Sequence, residues 1–294
     1  MALDQASISG DPGGDPPRRS FRLLVVDIDG TLLNRYGAIA AADRQALYRA
    51  AAAGIVVSLS TGRAINACRS ILGGLALDTG YHTFFDGALV ADPTSGDEVY
   101  VQPVPREIIR EITDFIEGRE MILELNSATH YFAERENWSV EVRRKFFSLE
   151  PTIGSFDGLW QTERIIKATA IVRTAEERAG FEALRDHFGD RLSYSWTRND
   201  IARDADFINI IARGVSKGRA LRELAEFLEA PLDQVAAIGD GGNDRSMLEA
   251  AGLGIAMGNA AEELKAAADL VVADVESNGV ADAVARLLGQ GPSS

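Results

Sequence analysis

The feature that most constrains this chain is a short apolar run that ends in two aspartates. Residues 23–26 read Leu-Leu-Val-Val, and Asp27, Asp29, Gly30 and Thr31 follow directly. Such a run is typical of a strand that is buried on both faces of a parallel sheet. In open α/β sheets, ligands bind beyond the carboxyl ends of the strands, which is where the two carboxylates would lie.

Two carboxylates at such an edge need a partner, because buried charge is stable only when it is paired or bound to a metal. The arrangement therefore predicts a Mg²⁺ site that also supplies a carboxylate nucleophile. The alternative is a simple strand-to-turn junction, since Asp and Gly are common turn residues. On these few residues alone both interpretations stay open.

The length and charge of the chain narrow its possible partners. With 294 residues it exceeds the usual size of one domain, so we expect two domains. Its formal net charge of -14 argues against a nucleic-acid or anionic-membrane partner.

The single cysteine, Cys68, excludes an internal disulfide and is consistent with a cytoplasmic location. No apolar run approaches the ~18 residues needed to cross a bilayer.

The first twenty residues differ in composition from the rest. Residues 1–20 are rich in Gly, Pro and Asp, so they have too little apolar surface to order themselves. They also lack the apolar core of a signal peptide. We expect a disordered tail over this range.

The pattern after the first strand predicts a parallel βαβ unit. An alanine-rich helix is expected over residues 38–53, and a second buried strand over residues 54–60. Because such units are right-handed with parallel strands, Thr61 should lie at the same sheet edge as Asp27. A hydroxyl followed by Gly62 suits a phosphate oxygen. A threonine helix cap would explain the same pair equally well.

From about residue 104 the regular alternation of strand and helix is lost. Residues 106–117 have an amphipathic helical pattern, and short strands and helices follow it. This mixture predicts a separate α+β module over residues 104–204, inserted between core segments at 21–103 and 205–294. The core pattern is expected to resume with a strand at residues 207–211.

Further polar residues fall at the ends of predicted elements in the second core segment. Lys217 starts a predicted helix, where a cation opposes the helix dipole and is better explained by facing a phosphate. The buried strand at residues 234–239 ends in Asp240, with Asn243 and Asp244 behind it. Two predicted strands of this chain thus end in acids, at Asp27 and at Asp240, and turn formation alone hardly explains both.

Together, residues 27–31, 60–63, 214–218 and 239–244 resemble the haloacid dehalogenase-like hydrolase superfamily, specifically its Cof-like sugar-phosphatase branch. The resemblance covers the chain from about residue 21 to about residue 288. It implies an α/β fold whose core is a doubly wound, mostly parallel Rossmann-like sheet, with an inserted α+β cap domain.

The resemblance also implies a role for each matching residue. Asp27 would be the nucleophile that forms an aspartyl-phosphate, and Asp29 would be the general acid and base. The implied Mg²⁺ ligands are Asp27, Asp29 through its backbone carbonyl, Asp240 and Asp244. The implied phosphate-binding residues are Thr61, Gly62, Lys217 and Asn243.

One position departs from the family pattern. Where close relatives tend to have Asn-Gly-Ala, this chain has Asp86-Gly87-Ala88. An extra acid near a phosphate would repel it unless the acid were paired, and Arg63 is the expected partner.

The leading hypothesis for function is a Mg²⁺-dependent phosphatase acting on a small phosphorylated metabolite, such as a sugar phosphate or a phosphorylated cofactor. The alternatives are a phosphomutase or phosphotransferase, and a catalytically idle binding protein on the same fold. The retention of the acidic and lysine motifs argues against an idle protein. The candidate cations for anionic substrate groups are Arg135, Arg143, Arg144, Arg164 and Arg198.

Overall fold

The computed structural model describes residues 20–119, 121–147, 149–197 and 204–289. The tail predicted for residues 1–20 lies outside these ranges, except for Ser20. Within them, no helix is long and apolar enough to span a membrane.

The described residues form two sheets and the helices that cover them. The strands are β1 (Leu23–Asp27), β2 (Val56–Ser60), β3 (His82–Phe84), β4 (Leu89–Ala91), β5 (Glu98–Val101), β6 (Ile122–Asn126), β7 (Tyr131–Ala133), β8 (Thr152–Ile153), β9 (Lys167–Val172), β10 (Leu192–Thr197), β11 (Asp206–Ala212), β12 (Val235–Gly239), β13 (Leu253–Ala256) and β14 (Leu270–Val271). The helices are α1 (Ala41–Ala52), α2 (Ile65–Gly74), α3 (Arg106–Ile116), α4 (Trp138–Phe147), α5 (Leu159–Thr162), α6 (Ala175–Phe188), α7 (Lys217–Phe227), α8 (Arg245–Ala250), α9 (Glu262–Lys265) and α10 (Gly279–Leu287).

The larger sheet has eight strands in the order β14-β13-β12-β1-β2-β3-β4-β5. Its strands are parallel from β14 to β3, and β4 and β5 are antiparallel. Alternate side chains of β1 face opposite layers: Leu24 and Val26 pack with α1 and α10, whereas Leu23 and Val25 pack with α7 and α8. Helices on both faces of a mostly parallel sheet confirm the expected doubly wound α/β fold.

The second sheet has six strands in the order β10-β11-β9-β6-β7-β8. With α3–α6 it forms what we call the inserted module. One face packs against helices α3 and α6 in an apolar core that includes Ile112 and Leu184. The other face carries buried polar residues, among them Glu124, Thr169 and Asn209. Successive side chains along each strand point to opposite faces, so the module has one apolar face and one polar face.

The strand predicted at residues 207–211 does not return to the larger sheet, so this prediction is wrong. It forms β11, which lies between β10 and β9 and is antiparallel to both. An apolar run of this length looks the same in a parallel core and in the middle of an antiparallel sheet that is covered on both faces. The inserted module therefore continues past residue 204, and the chain rejoins the larger sheet after residue 212.

The register of the larger sheet brings the predicted motifs to one edge. Asp27 is paired with Ser60, so Thr61 follows at the same level of the neighbouring strand. On the other side of β1, Val26 is paired with Ile238, and Asp240 comes directly after β12. The predicted parallel βαβ arrangement is confirmed.

Helices α7 and α8 approach each other at backbone distance. A Cβ atom on Gly218 would lie 2.1 Å from the carbonyl oxygen of Ser246. The Gly218 amide also donates a hydrogen bond to Ser246 Oγ at 3.1 Å. The first turn of α7, which carries Lys217, is therefore fixed against the first turn of α8.

This contact predicts opposite effects for two glycine substitutions. Gly218→Ala should lower the free energy of unfolding by about 1–3 kcal/mol, because the added methyl group forces the two backbones apart. Gly180→Ala is the matched control, since Gly180 lies in α6 with no atom within 4 Å of an added Cβ. It should raise stability by about 0.5–1 kcal/mol. Urea denaturation measures both; equal effects would contradict the close approach at Gly218.

Candidate active site

The centre of the site is Lys217, which lies between two carboxylates. Its Nζ donates to Asp27 Oδ1 at 2.5 Å and to Asp244 Oδ1 at 2.6 Å. All three side chains are buried. Asp27 is the last residue of β1 and Lys217 is the first of α7, so the fold joins residues 190 positions apart. Ser216 caps α7 by accepting a hydrogen bond from the Arg219 amide, which fixes the first turn.

A third carboxylate, that of Asp240, lies beside this pair and is held by its own hydrogen bonds. Its Oδ1 accepts from Thr31 Oγ1 at 2.7 Å, and its Oδ2 accepts from Asn259 Nδ2 at 3.2 Å. Asp244 Oδ2 in turn accepts from the backbone amides of Asp240 at 3.0 Å and Gly241 at 2.8 Å. The loop after β12 thus presents both acids in fixed positions.

The three carboxylates form a set that fits a divalent cation. One oxygen from each of Asp27, Asp240 and Asp244 lies within 4.8 Å of the others. Among the described residues, Lys217 is the only cation hydrogen-bonded to them, so one positive charge faces three carboxylates. Burial, followed by the charge of Asp244, raises the pKa of Asp27 well above its ordinary value. Burial also raises the pKa of Asp240 to about 6. A hard cation with oxygen ligands would relieve this repulsion.

Asp29 lies outside that cluster. Its side chain is 55% exposed, compared with 7% for Asp27. Its carboxylate accepts hydrogen bonds from Arg63 Nε at 2.8 Å and Arg63 Nη2 at 2.5 Å. The two aspartates of the first motif therefore have different surroundings, one buried on a lysine and one exposed on an arginine.

The predicted pairing of Arg63 with Asp86 is wrong. Asp86 lies against Gly62 instead, and its Oδ1 would be 2.8 Å from a Cβ added to that glycine. It accepts hydrogen bonds from Asn243 Nδ2 at 2.8 Å, and from Asn209 Nδ2 and Ser195 Oγ at 3.4 Å each. The buried carboxylate of Asp86 thus accepts hydrogen bonds from neutral donors of the inserted module and of the loop after β12. It also orients the Asn243 amide in that loop.

Thr61 and Gly62 follow β2 in a tight turn. Thr61 is buried, and its Oγ1 accepts a hydrogen bond from the Arg63 amide at 3.1 Å. Helix α2 is capped at Ala64 without any side-chain hydrogen bond, so the alternative that Thr61 is the cap of this helix is wrong. Gly62 is required because Asp86 fills the space that a side chain would need.

Three of the five candidate arginines of the inserted module are already paired with acids of the same module or of β5 in the larger sheet. The partners are Glu124 for Arg143, Glu136 and Glu150 for Arg144, and Glu98 for Arg164. Arg135 is exposed, and Arg198 lies outside the described residues. The three paired arginines are poor candidates for binding substrate, because their charge is already balanced.

Three side chains of the inserted module reach the site although no motif predicted them: Lys167, Ser195 and Asn209. Lys167 Nζ donates to the carbonyl oxygen of Gly62 at 3.0 Å, and the other two contact Asp86. Lys167 begins a run of mostly apolar or small residues and Asn209 interrupts one, which is the signal that could have identified them.

A cavity of about 340 Å³ lies between the inserted module and the larger sheet. Its lining includes Lys217, Asn243 and Asp86 from one side and Ser195 from the other. The site thus combines a buried carboxylate on a lysine, a set of acids suited to a divalent cation, and an adjacent open cavity of the size of a small molecule.

Comparison with known proteins agrees with this geometry. A family model described as haloacid dehalogenase-like hydrolase matches residues 24–284. The chain is 31% identical to the phosphatase YwpJ of Bacillus subtilis, over 91% of this chain and 100% of that protein. It is also 31% identical to the 5-amino-6-(5-phospho-D-ribitylamino)uracil phosphatase YwtE of Bacillus subtilis, over 91% of this chain and 98% of that protein.

Among solved structures, the fold is similar to that of a haloacid dehalogenase-like hydrolase from Bacteroides thetaiotaomicron. The TM-score is 0.79 at 23% sequence identity, with 91% of this chain and 100% of the other covered. The chain therefore belongs to the haloacid dehalogenase-like hydrolases and, within them, to the Cof-like phosphatase subfamily.

Proposed function

We propose that this protein is a Mg²⁺-dependent phosphatase that hydrolyses small phosphorylated metabolites through an aspartyl-phosphate on Asp27. The observation that carries the proposal is the position of Lys217, bonded to Asp27 and Asp244 beside Asp240. Phosphoryl transfer needs a nucleophile, fixed positive charge and a metal at one point, and these residues supply the groups for all three.

Asp27 is the proposed nucleophile because it is buried and fixed by the hydrogen bond from Lys217. Burial and then the charge of Asp244 raise its pKa, and the charge and hydrogen bond of Lys217 oppose this rise. Burial also lowers the pKa of Lys217, but Asp244 and Asp27 raise it far above its ordinary value, so the lysine stays charged. A carboxylate held at the end of a strand suits in-line attack on phosphorus, where small misplacements are costly.

Asp29 is the proposed general acid and base. It lies two residues beyond Asp27, outside the carboxylate cluster, and Arg63 fixes the direction of its carboxylate. From this outer position it would give a proton to the leaving alkoxide and later take one from the attacking water.

The phosphoryl oxygens have four proposed partners at the edge of the larger sheet. These are the Thr61 hydroxyl, the Gly62 amide, the Lys217 ammonium and the Asn243 amide. Asp86 supports this set by orienting Asn243 at 2.8 Å. A Mg²⁺ ion bound by Asp27, the Asp29 carbonyl, Asp240 and Asp244 would supply positive charge next to the same oxygens.

The inserted module is the proposed cap over this site. Ser195, Asn209 and Lys167 contact the larger sheet beside the phosphate-binding turn, and the cavity between the two parts has room for a small leaving group. A closed cap would exclude water from the reaction. The substrate named for YwtE, a phosphorylated ribitylaminouracil, is a small metabolite of the class proposed here.

The first prediction concerns the metal. Hydrolysis of nitrophenyl phosphate should require added Mg²⁺ and should stop in excess EDTA. Asp240→Asn should raise the Mg²⁺ concentration for half-maximal rate by about 10–100-fold, since one anionic ligand becomes neutral. Asp114→Asn is the control, because Asp114 is an exposed acid on α3. Full activity in excess EDTA would contradict the metal site.

A separate prediction distinguishes the two aspartates of the first motif. Asp27→Asn should abolish both turnover and the covalent phospho-enzyme. Asp29→Asn should lower turnover of nitrophenyl phosphate by about 10²–10⁴-fold, yet still form the aspartyl-phosphate, because nitrophenolate leaves without a proton. Rapid acid quench with mass spectrometry locates the label. A label on Asp29, or no label during active turnover, would refute the assignment.

A further inference from the structure

Lys167 is a buried cation without a carboxylate partner. It lies at the start of β9 and is 8% exposed. Its Nζ donates to the Gly62 carbonyl at 3.0 Å and lies 5.4 Å from the centre of the Phe85 ring. Over the described part of the chain, no ion pair includes it.

This makes Lys167 unlike the other cations that lie in the interior of the described part of the chain. Lys217 is bonded to two carboxylates, and the partly buried Arg143 makes three hydrogen bonds to Glu124. A buried charge is normally paired, because the loss of hydration is otherwise not offset. A carbonyl and an aromatic face offset it only in part. Burial accordingly lowers the pKa of Lys167 to about 8, although nearby Asp86 raises it.

A second polar group on the same face of β9 is also unsatisfied. Thr169 is two residues further along the strand, is buried, and its Oγ1 has no hydrogen-bond partner. The strand register aligns Thr169 with Asn209 on one side and Glu124 on the other. This polar face therefore holds a cation with one hydrogen bond and a hydroxyl with none among the described residues.

The position of Lys167 relates this unused capacity to the reaction. Its ammonium rests on the peptide of Gly62, next to Thr61, in the turn that is proposed to hold the phosphoryl group. An anion that contacted Lys167 while a phosphoryl group occupied that turn would belong to the part of the substrate facing the inserted module. That part is the leaving group.

We propose that Lys167 is a specificity-determining residue that binds a second anionic group on the leaving portion of the substrate, with Thr169 as an additional hydrogen-bond donor. The substrate class is therefore a phosphorylated acid or a diphosphate, in preference to a neutral sugar phosphate. This inference rests on the proposed phosphatase function and extends it to the substrate.

The test compares matched pairs of inhibitors of nitrophenyl phosphate hydrolysis by the full chain with Mg²⁺. The first pair is glycerol phosphate and phosphoglycerate, which differ by a carboxylate. The second pair is methyl phosphate and methyl diphosphate, which differ by a phosphate. For at least one pair, the doubly anionic member should bind about tenfold or more tightly, since a hydrogen bond to a charged group is worth that much. The two pairs distinguish a carboxylate from a phosphate as the second group.

Lys167→Met should reduce this preference to about equal binding, so that the doubly anionic member weakens by about tenfold more than the singly anionic one, whatever change the lost bond to Gly62 causes in both. Lys145→Met is the matched control, because Lys145 is an exposed lysine of the same module, and it should keep the preference. Lys167→Arg retains the charge and should keep most of the preference, which provides a second variant if Lys167→Met does not fold.

Two results would overturn the proposal for Lys167: equal binding of both members of both pairs by the wild-type protein, or equal weakening of both members by Lys167→Met. The first of these requires no variant. Failure of the wild-type protein to hydrolyse nitrophenyl phosphate with Mg²⁺ is a different result, since it would refute the phosphatase function itself and the proposed subsite with it.

Discussion

The structure depends on one buried lysine that is shared by two carboxylates. Removing Lys217 would leave Asp27 and Asp244 as neighbouring buried anions, and removing either acid would leave a poorly paired ammonium. The end of β1, the start of α7 and the loop after β12 must therefore meet at one point. The close approach at Gly218 is part of the same requirement, because it places the first turn of α7 against the element that follows Asp244.

A second set of polar contacts relates the inserted module to this centre. Asp86 accepts one hydrogen bond from Asn243, in the loop after β12, and two longer ones from Asn209 and Ser195 of the module. Its left-handed backbone, with φ of 57°, directs the side chain over Gly62. The Asp86 carboxylate is stable here because neutral donors surround it. Lys167 and Lys217 are also close enough for the charge of Asp86 to raise the pKa of both ammonium groups.

The sequence predicted the larger sheet and most of the site because both depend on local patterns. Apolar runs that end in Asp27, Thr61 and Asp240 identify parallel strands and place their ends together by simple topology. The place of β11 could not be predicted, since the same apolar run fits either sheet. The partner of Arg63 and the role of Lys167 depend on how two distant segments approach each other, which no local pattern records.

The hydrogen bond from Lys167 to the Gly62 carbonyl has a mechanical consequence. It ties a central strand of the inserted module to the turn at Gly62, which is proposed to hold the phosphoryl group. Any rotation of that module away from the larger sheet must break this bond or pull on the turn. The turn would thus be in its bonded geometry only when the module is seated, so the assembly of a competent site and the closing of the module over it become a single event.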